Sequence, residues 1–461
     1  MAAAHWDRAH LVVLSASTAV PQWGRGAAQE TSPYTALHGL MFDRGLFDLA
    51  VPLLGADDLP EVARRLRVGL AGPHRFIAHV SVPTSAQAAP VAWASIAPGV
   101  EAPVAVTPPS VSAAAARHAA GLLLERGFAI WVGAGVMCSP RAKGIFPESH
   151  PQFVGVTGLA GHKSVAEFLR AERPGRVLVL GTRLCEGTSL WDPAMVPPGG
   201  LVHVDLDPAA FGAAYPSVPT LGIQADIGLF LEQLLLALPQ ADAPLRRRAR
   251  VHPLPLAIRD EGPVRPQALM DAIQRVVVDG SDAPVLSESG SSFGWTNHHL
   301  RFDQPGRYRI SMHWASMGHM TCGVVGAALG RGGTAVAVVG DGSLLMGHEI
   351  STAVSAGARA VWVVLNDARQ GIVAHAMEMQ GLVPAGTEYP PADFAALARS
   401  LGAGGERVLR EADLDPALAR ALAAEGPWLV DVAIDRADLS PLLVQRVASL
   451  RAQGASRGAS R

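Results

Sequence analysis

The 461-residue sequence predicts an α/β fold in which parallel sheets are flanked by helices. Two observations lead to this prediction. Short apolar runs recur along the chain, and helical patterns of ten or more residues separate them. Strands that alternate with helices in this way form parallel sheets covered on both faces. The length exceeds what one hydrophobic core supports, so the sequence also predicts two or three domains.

Composition and charge argue against several classes of protein. The formal net charge is −2, and the longest basic cluster is a short RRRAR at 246–250, which argues against binding to nucleic acid or to a membrane surface. No apolar run reaches the roughly 18 residues of a spanning helix, and the charged N-terminus is unlike a secretory leader. Three widely spaced cysteines, Cys138, Cys185 and Cys322, indicate buried thiols in a reducing compartment. We therefore expect a cytoplasmic protein.

The first domain is predicted at residues 1–100. An apolar run at His10–Ala16 indicates a strand, and a helix is expected after GADDLPEVARRL, where Asp57 or Asp58 can cap and Pro60 can open the first turn. A second strand, RFIAHVSVP, ends at its proline.

A second domain is predicted at 110–240, because helices and strands alternate from AAAARHAAGLLLERG through FAIWVGAGV, RVLVLGTRL and LVHVDLDP. The proline-rich stretch 241–264 is the predicted linker. The third domain, 265–440, begins with the helix RPQALMDAIQRVVV, and residues 441–461 are predicted to be a polar tail whose end, RAQGASRGASR, is disordered.

Two acidic residues follow predicted strands of the third domain. Asp341 comes after TAVAVVG and Asp367 after AVWVVLN, so the two carboxylates converge if these strands are neighbours. Gly340 and Gly342 let a ligand approach the backbone, and the helix that begins at Ser343 favours an anion. Paired carboxylates near phosphates suit Mg²⁺. The residues therefore suggest a diphosphate held through a metal; the alternative is that GDGS is only a strand–helix turn.

The wider pattern carries a resemblance. GDGS followed by Asn-Asp about two dozen residues later resembles the thiamine diphosphate motif of the acetolactate synthase and 2-oxo acid decarboxylase superfamily. ASMGHMTCGVVGAALG and SESGSSFGW look like cofactor loops of that family, RAKGIFPESHPQFVGVTG and VHVDLDP resemble its central domain, and GRGAAQE its pyrimidine-binding (Pyr) domain. The resemblance implies a three-domain architecture, with a partial Pyr domain at 1–100 and a diphosphate-binding (PP) domain at 265–440.

The resemblance also implies roles for individual residues. Asp341, Asp367 and the backbone carbonyl of Arg369 would bind Mg²⁺. Met317 would bend the cofactor, and the carbonyl of Ala315 would accept a hydrogen bond from its amino group. His375 either faces the substrate or is a solvated helix histidine. The remaining cofactor contacts would come from Gly290, Ser291, Ser292, Gly340, Gly342, Ser343 and Ile372.

One family requirement has no counterpart in this sequence. Relatives carry an activating glutamate some sixty residues before the segment that corresponds to GRGAAQE, whereas only 28 residues precede Gln29 here. Glu30 belongs to the later segment and is no substitute, so we identify no catalytic residue in this chain. Three explanations stay open: a partner chain donates the glutamate, the natural protein is longer, or the chain has lost this chemistry. The central domain also looks abbreviated, with a strand supplied by VMCSP.

The resemblance implies decarboxylation of a 2-oxo acid with carboligation to a second carbonyl. The alternatives are a simple decarboxylase and a non-catalytic cofactor-binding subunit. The segments GTRLCEG and VDLDP permit FAD in the central domain, but the missing helix argues against it. Because the family's cofactor sites lie between chains, we expect a homodimer or homotetramer, with a small subunit as a further candidate partner.

Overall fold

A computed structural model describes residues 4–5, 7–23, 46–87, 89–91, 108–124, 135–239, 251–310 and 315–445. The chain forms two compact units. The N-terminal unit is Met1–Val111 with Gln224–Leu229, and the C-terminal unit is Ser112–Ile223 with Phe230–Arg461. The segment GRGAAQE, most of FAIWVGAGV and the end of the polar tail lie outside the described residues. The domain boundaries at 100, 240 and 264 stay predictions.

The N-terminal unit contains a three-stranded parallel sheet in the order β1-β3-β2. The strands are β1 (His10–Ser17), β2 (Leu49–Pro52) and β3 (Phe76–Pro83), and the helices are Leu59–Ala71 and Thr84–Gln87.

The first helix of this unit begins as predicted but is capped differently. Pro60 lies in its first turn and Asp58 is the N-cap residue. The Asp58 carboxylate does not cap, because it accepts the N–H groups of Leu54 and Gly55 on the preceding turn.

Two smaller sheets come between this unit and the large C-terminal sheet in the sequence. One pairs β4 (Val136–Cys138), the strand expected from VMCSP, with β5 (Phe153–Val156). The other has the order β6-β7-β8, formed by Val177–Leu180, Leu201–Asp205 and Thr220–Gln224. The helices of this part are Ala113–Leu124, Lys163–Glu172, Glu186–Ser189 and Ile227–Ala237.

A six-stranded parallel sheet dominates the C-terminal unit, with the order β10-β9-β11-β12-β14-β13. Its strands are β9 (Val285–Ser287), β10 (Tyr308–Ile310), β11 (Ala335–Gly340), β12 (Ala360–Asn366), β13 (Gly404–Val408) and β14 (Trp428–Ala433). Its helices are Pro266–Ile273 (followed by a π-helical turn, Gln274–Val278), Ser291–His299, His319–Arg331, Asp341–Met346, Ile350–Ser355, Gly371–Met379, Phe394–Ser400 and Leu414–Ala423.

Both faces of this sheet are buried, as the unbroken apolar strands predict. Along β11, Val336 and Val338 contact the core on one face, whereas Ala337 and Val339 contact the core on the other. This period-two alternation places a helical layer on each side of the sheet.

The strand order positions the functional site. From β9 the chain crosses first to β10 on one side and then to β11 on the other, which is a topological switch point. Ligands bind at such points, beyond the carboxyl ends of the strands. The segments that leave β9, β11 and β12 at this edge are 288–292, 341–343 and 367–369.

Several sequence expectations need correction. The start of the predicted polar tail is packed, because Leu442 and Leu443 are only 8% and 5% exposed. The described part of the predicted linker is also fixed in place: Val264 is buried and Arg259 is paired with Asp435.

Two further expectations concern the burial of the cysteines and the presence of membrane-spanning helices. Cys138 is buried as expected, but Cys185 and Cys322 are only partly buried. In the described part of the chain, every helix is too short or too polar to cross a membrane.

Candidate functional site

The Asp341 carboxylate lies at the end of β11 and is held by three backbone N–H groups. Its Oδ1 accepts from Gly342 at 2.7 Å, and its Oδ2 accepts from Asp367 and Ala368 at 3.1 and 2.8 Å. The side chain is 3% exposed. These bonds tie the end of β11 to the loop after β12, so the two aspartates predicted to converge are adjacent.

Asp367 has a partner that the sequence did not suggest. The Arg369 Nε donates to Asp367 Oδ2 at 3.3 Å, and both side chains are about nine-tenths buried. Arg369 was expected to contribute only its carbonyl, yet its guanidinium offsets part of the negative charge of Asp367. This pairing accommodates a second acid beside Asp341.

The Arg369 carbonyl accepts a hydrogen bond from the Tyr389 hydroxyl at 3.1 Å. The same hydroxyl hydrogen-bonds the Asp341 carboxylate. Tyr389 therefore contacts two of the three predicted metal ligands, and burial raises the pKa of its phenol. Sequence analysis missed this residue because it lies twenty positions from the motif and carries no motif signature.

In both aspartates the ionised form of the side chain is disfavoured. Burial raises the pKa of Asp341 to about 6, and the nearby Asp367 charge adds to the effect. Burial also raises the pKa of Asp367, against the lowering influence of Arg369. Two desolvated carboxyl groups side by side favour either protonation or a cation between them.

Glu288 joins two loops at the neighbouring strand end. It is fully buried, and its Oε2 accepts the N–H groups of Met320 and Thr321 at 3.1 Å and the Thr321 hydroxyl at 2.9 Å. Its Oε1 accepts the Ser289 N–H at 3.0 Å. Glu288 thus fixes the loop after β9 against the start of helix His319–Arg331, next to Met317.

Some predicted contacts are engaged within the protein. The Ser292 hydroxyl donates to the carbonyls of Glu288 and Ser289, both at 3.0 Å, so its hydrogen is engaged within the protein. The Gly342 N–H is taken by Asp341. A diphosphate at these two groups would compete with the carboxylate and the loop carbonyls.

Two glycines have different reasons to be glycine, a positive φ at Gly290 and a close contact at Gly371. Gly290 has φ +88° at the start of helix Ser291–His299, and a Cβ there would meet nothing closer than Ile372 at 4.0 Å. A Cβ at Gly371 would lie 2.8 Å from Asp367 Oδ2 and would push the carboxylate aside. Ala315 and Ala368 also adopt positive φ, of 47° and 56°, conformations that are uncommon for alanine and often occur at functional sites.

The loops that follow β9, β11 and β12, together with the segment at Ala315 and Met317, surround a cavity of ≈ 260 Å³. All residues predicted to touch cofactor or metal line it, namely Gly290, Ser291, Ser292, Ala315, Met317, Gly340, Asp341, Gly342, Ser343, Asp367, Arg369 and Ile372.

His375 also lines this cavity and is 6% exposed, which rules out the solvated alternative. Its Nε2 lies 2.6 Å from Arg369 Nη2 and 2.8 Å from the Arg436 carbonyl, so it helps to hold the guanidinium in position.

Two family models match this chain. The C-terminal TPP binding domain of thiamine pyrophosphate enzymes matches residues 288–432, and their central domain matches residues 100–234. The chain belongs to the thiamine pyrophosphate enzymes. The match supports the predicted superfamily of acetolactate synthases and 2-oxo acid decarboxylases.

Individual relatives agree with this family. A putative acetolactate synthase large subunit of Mycobacterium tuberculosis is 32% identical over 315 residues, which cover 64% of this chain and 54% of the relative. A putative thiamine pyrophosphate-containing protein of Bacillus subtilis is 29% identical over 346 residues, with 73% and 57% coverage. This thiamine pyrophosphate enzyme therefore spans little more than half the length of the curated relatives it matches.

Solved structures show the same fold. The benzoylformate decarboxylase of Polynucleobacter necessarius superposes with a TM-score of 0.76 at 19% identity, covering 94% of this chain and 83% of that one. A 4-hydroxybenzoylformate decarboxylase of Rhodococcus jostii RHA1 gives 0.75 at 20% identity, covering 94% and 84%. The predicted fold class, parallel sheets flanked by helices with an incomplete first domain, is confirmed.

The residues present fit the cofactor and metal of this family. The predicted donor set is oxygen only, as Mg²⁺ prefers, and Mg²⁺ keeps several waters and substrate phosphates in its shell. No group of three His, Cys, Asp or Glu side chains forms a metal cluster among the described residues. Two carboxylates with a carbonyl suit Mg²⁺ shared with a diphosphate better than they suit an all-protein cage.

Proposed function

We propose that this chain binds thiamine diphosphate through Mg²⁺ and takes part in the decarboxylation of a 2-oxo acid, with transfer of the remaining acyl group to a second carbonyl compound. One observation carries the proposal. Asp341, Asp367 and the Arg369 carbonyl meet at the ends of the adjoining strands β11 and β12, and they line one cavity with the glycine-led loop that follows β9.

Each part of the site has a distinct task. Asp341, Asp367 and the Arg369 carbonyl would hold Mg²⁺, with Tyr389 orienting the carbonyl and Arg369 moderating the charge of Asp367. Backbone N–H groups at the start of helix Ser291–His299 would face the diphosphate, because helix N-termini favour anions.

The ring end of the cofactor would meet other residues. Ala315 would present its carbonyl to the amino group, and Met317 and Ile372 would flank the rings. The bound cofactor supplies the electron sink that permits loss of CO₂.

The activating carboxylate would come from elsewhere. The acids described in the N-terminal unit are Asp7, Asp48, Asp57, Asp58, Glu61 and Asp226, and none of them is buried. A glutamate that drives proton transfer needs a site shielded from water and close to the cofactor. We propose that a second copy of the chain or a small subunit completes the site, as a homodimer or homotetramer in the first case.

Calorimetry and CO₂ release test this function. The full chain is titrated with thiamine diphosphate with and without Mg²⁺, and then incubated with pyruvate and larger 2-oxo acids, alone and with a candidate N-terminal partner. Mg²⁺-dependent binding together with CO₂ release in either arm is expected. A 2-hydroxy ketone as product indicates carboligation, and an aldehyde indicates simple decarboxylation. Absence of Mg²⁺-dependent binding would overturn the proposal.

A second candidate is a non-catalytic cofactor-binding subunit. The lack of a buried acid in the described part of the N-terminal unit favours it. Exchange of the cofactor's C2 proton, followed by NMR, separates the two functions. Tight binding with exchange no faster than that of free cofactor, with every partner tested, supports the non-catalytic role.

A further inference from the structure

A second cavity adjoins the proposed cofactor site. It has a volume of ≈ 400 Å³ and shares Ser289, Gly290, Ala315, Ile372 and Val373 with the first cavity. A molecule held at these shared residues can therefore extend from one cavity into the other.

The far wall of this second cavity is apolar. It is formed by Leu159, Phe293, Ala376, Leu442 and Leu443. Phe293 and the two C-terminal leucines are less than a tenth exposed, so they are part of the packed interior. Among the described residues, no charged side chain lines this cavity.

The size and polarity of the cavity restrict what it accommodates. An apolar cavity of roughly 150 Å³ is enough to bind benzene. A methyl group would leave most of the volume without partner atoms, and wall atoms that face a gap lose their dispersion contacts. A charged or strongly polar group would lose its hydration without gaining a partner.

We propose that the second cavity receives the side chain of a 2-oxo acid whose substituent is bulky and apolar, such as an aryl group. This inference rests on the proposed function, because it places the oxo acid at the shared wall. Ala376 lies in the apolar wall of the cavity. It lies on helix Gly371–Met379, one turn after Ile372, where a larger side chain would fill the space.

Binding of two unreactive analogues tests the inference directly. Mandelate carries a phenyl group and lactate a methyl group, and both have a hydroxyl in place of the 2-oxo group. Calorimetry with the full chain, thiamine diphosphate and Mg²⁺ measures both affinities. We expect mandelate to bind about tenfold to a hundredfold more tightly, as burial of an aromatic ring provides.

Substitutions at the cavity wall sharpen the test. Ala376→Trp is expected to reduce the ratio of the mandelate affinity to the lactate affinity to near one. Ala376→Leu is expected to reduce this ratio partly, and it replaces Ala376→Trp in the test if the larger side chain impairs folding. Gln380→Trp is the matched control, because Gln380 is exposed, follows the same helix and lines neither cavity. Its ratio should stay unchanged.

The outcomes separate the two proposals. A ratio near one in the unmodified chain, or a ratio that Ala376→Trp and Ala376→Leu leave unchanged, overturns the cavity assignment. A preserved mandelate preference without CO₂ release from any 2-oxo acid supports the cavity and counts against catalysis. CO₂ release that is as efficient from pyruvate as from benzoylformate overturns the cavity assignment while the proposed function stands.

Discussion

Strands of the six-stranded and the three-stranded sheet differ in burial. In the six-stranded sheet, every residue of β12 is buried, including Trp362 at 0% exposure. In the three-stranded sheet, β1 is largely exposed or half-buried, and Leu14 is 70% exposed. Well-packed interiors hold side chains in one arrangement. The comparison indicates that the C-terminal unit holds the residues of the proposed site in one arrangement.

One ion pair from each unit shows the same difference. Lys143 and Glu148 of the C-terminal unit form a pair at 3.0 Å in which both side chains are 0% exposed. Glu61 of the N-terminal unit pairs with Arg64 and Arg65, and all three side chains are about half exposed. An exposed edge strand such as β1 is also a site where another chain can add. The comparison therefore predicts large effects for substitutions of buried residues in the C-terminal unit and small effects for substitutions of exposed residues in the N-terminal unit.

The largest effect is expected at Asp341. Asp341→Ala removes a proposed metal ligand and the acceptor for three backbone N–H groups. Mg²⁺-dependent binding of thiamine diphosphate should weaken by more than about a hundredfold, since even outer-shell partners of a metal contribute up to this amount. Isothermal titration calorimetry measures the change.

Asp415→Ala is the matched control for this substitution, because Asp415 forms an exposed pair with Arg275 away from the cavity. Its cofactor affinity should equal that of the unmodified chain. Unaltered binding in Asp341→Ala would mean that the metal lies elsewhere.

The second effect is on stability, at the buried pair. Lys143→Met leaves Glu148 buried with His252 Nε2, 2.9 Å away, as its remaining close partner. Breaking a buried pair costs about 3–5 kcal/mol because the other charge stays desolvated. Hydrogen exchange should show faster exchange of amides in 138–156 and 291–302. Exchange rates that stay unchanged would show that Lys143 is not what compensates Glu148.

The third effect is on pH dependence. The pKa of Asp341 is raised to about 6, so its native carboxyl binds a proton that the unfolded chain releases near pH 4. Stability without Mg²⁺ should therefore fall as the pH rises from about 4 to about 6. Affinity for Mg²⁺ should run the opposite way, because the ligand must be deprotonated, and should decrease about tenfold per pH unit below about 6. Calorimetry between pH 5 and 7.5 checks the second trend, and an affinity that does not vary with pH contradicts it.

The sequence predicted the backbone of the site better than its side-chain contacts. Asp341 and Asp367 each follow an unbroken apolar run, and the ends of neighbouring parallel strands meet at one edge. This topology alone brings the two residues together. The bond from Arg369 to Asp367 and the inward turn of the Ser292 hydroxyl depend on packing between distant segments, which no local pattern encodes. The same holds for Leu442, which is buried although it lies in the predicted polar tail.

A smaller effect is expected when Asp367 loses its charge. Asp367→Asn keeps an oxygen ligand and removes a charge that Arg369 already offsets in part, so Mg²⁺ affinity should fall by less than about tenfold. The pKa of Asp341 should fall as well, because the repelling charge is gone. The pH below which Mg²⁺ binding weakens should then move to lower values in the same calorimetric titration. A midpoint that does not move would mean that burial alone sets the pKa of Asp341.

The smallest effect is expected in the N-terminal unit, at Glu61. Hydrogen bonds from Arg64 and Arg65 lower the pKa of Glu61 to about 2, which suggests a strong interaction. The side chain is nevertheless about half exposed to solvent, where water and salt replace such pairs at little cost. Glu61→Gln should therefore leave amide exchange in helix Leu59–Ala71 unchanged at physiological salt. A marked increase in exchange would show that this helix depends on its surface charges. The exposed pair at Glu61 and the buried pair at Lys143 would then differ in location but not in how strongly they stabilise the protein.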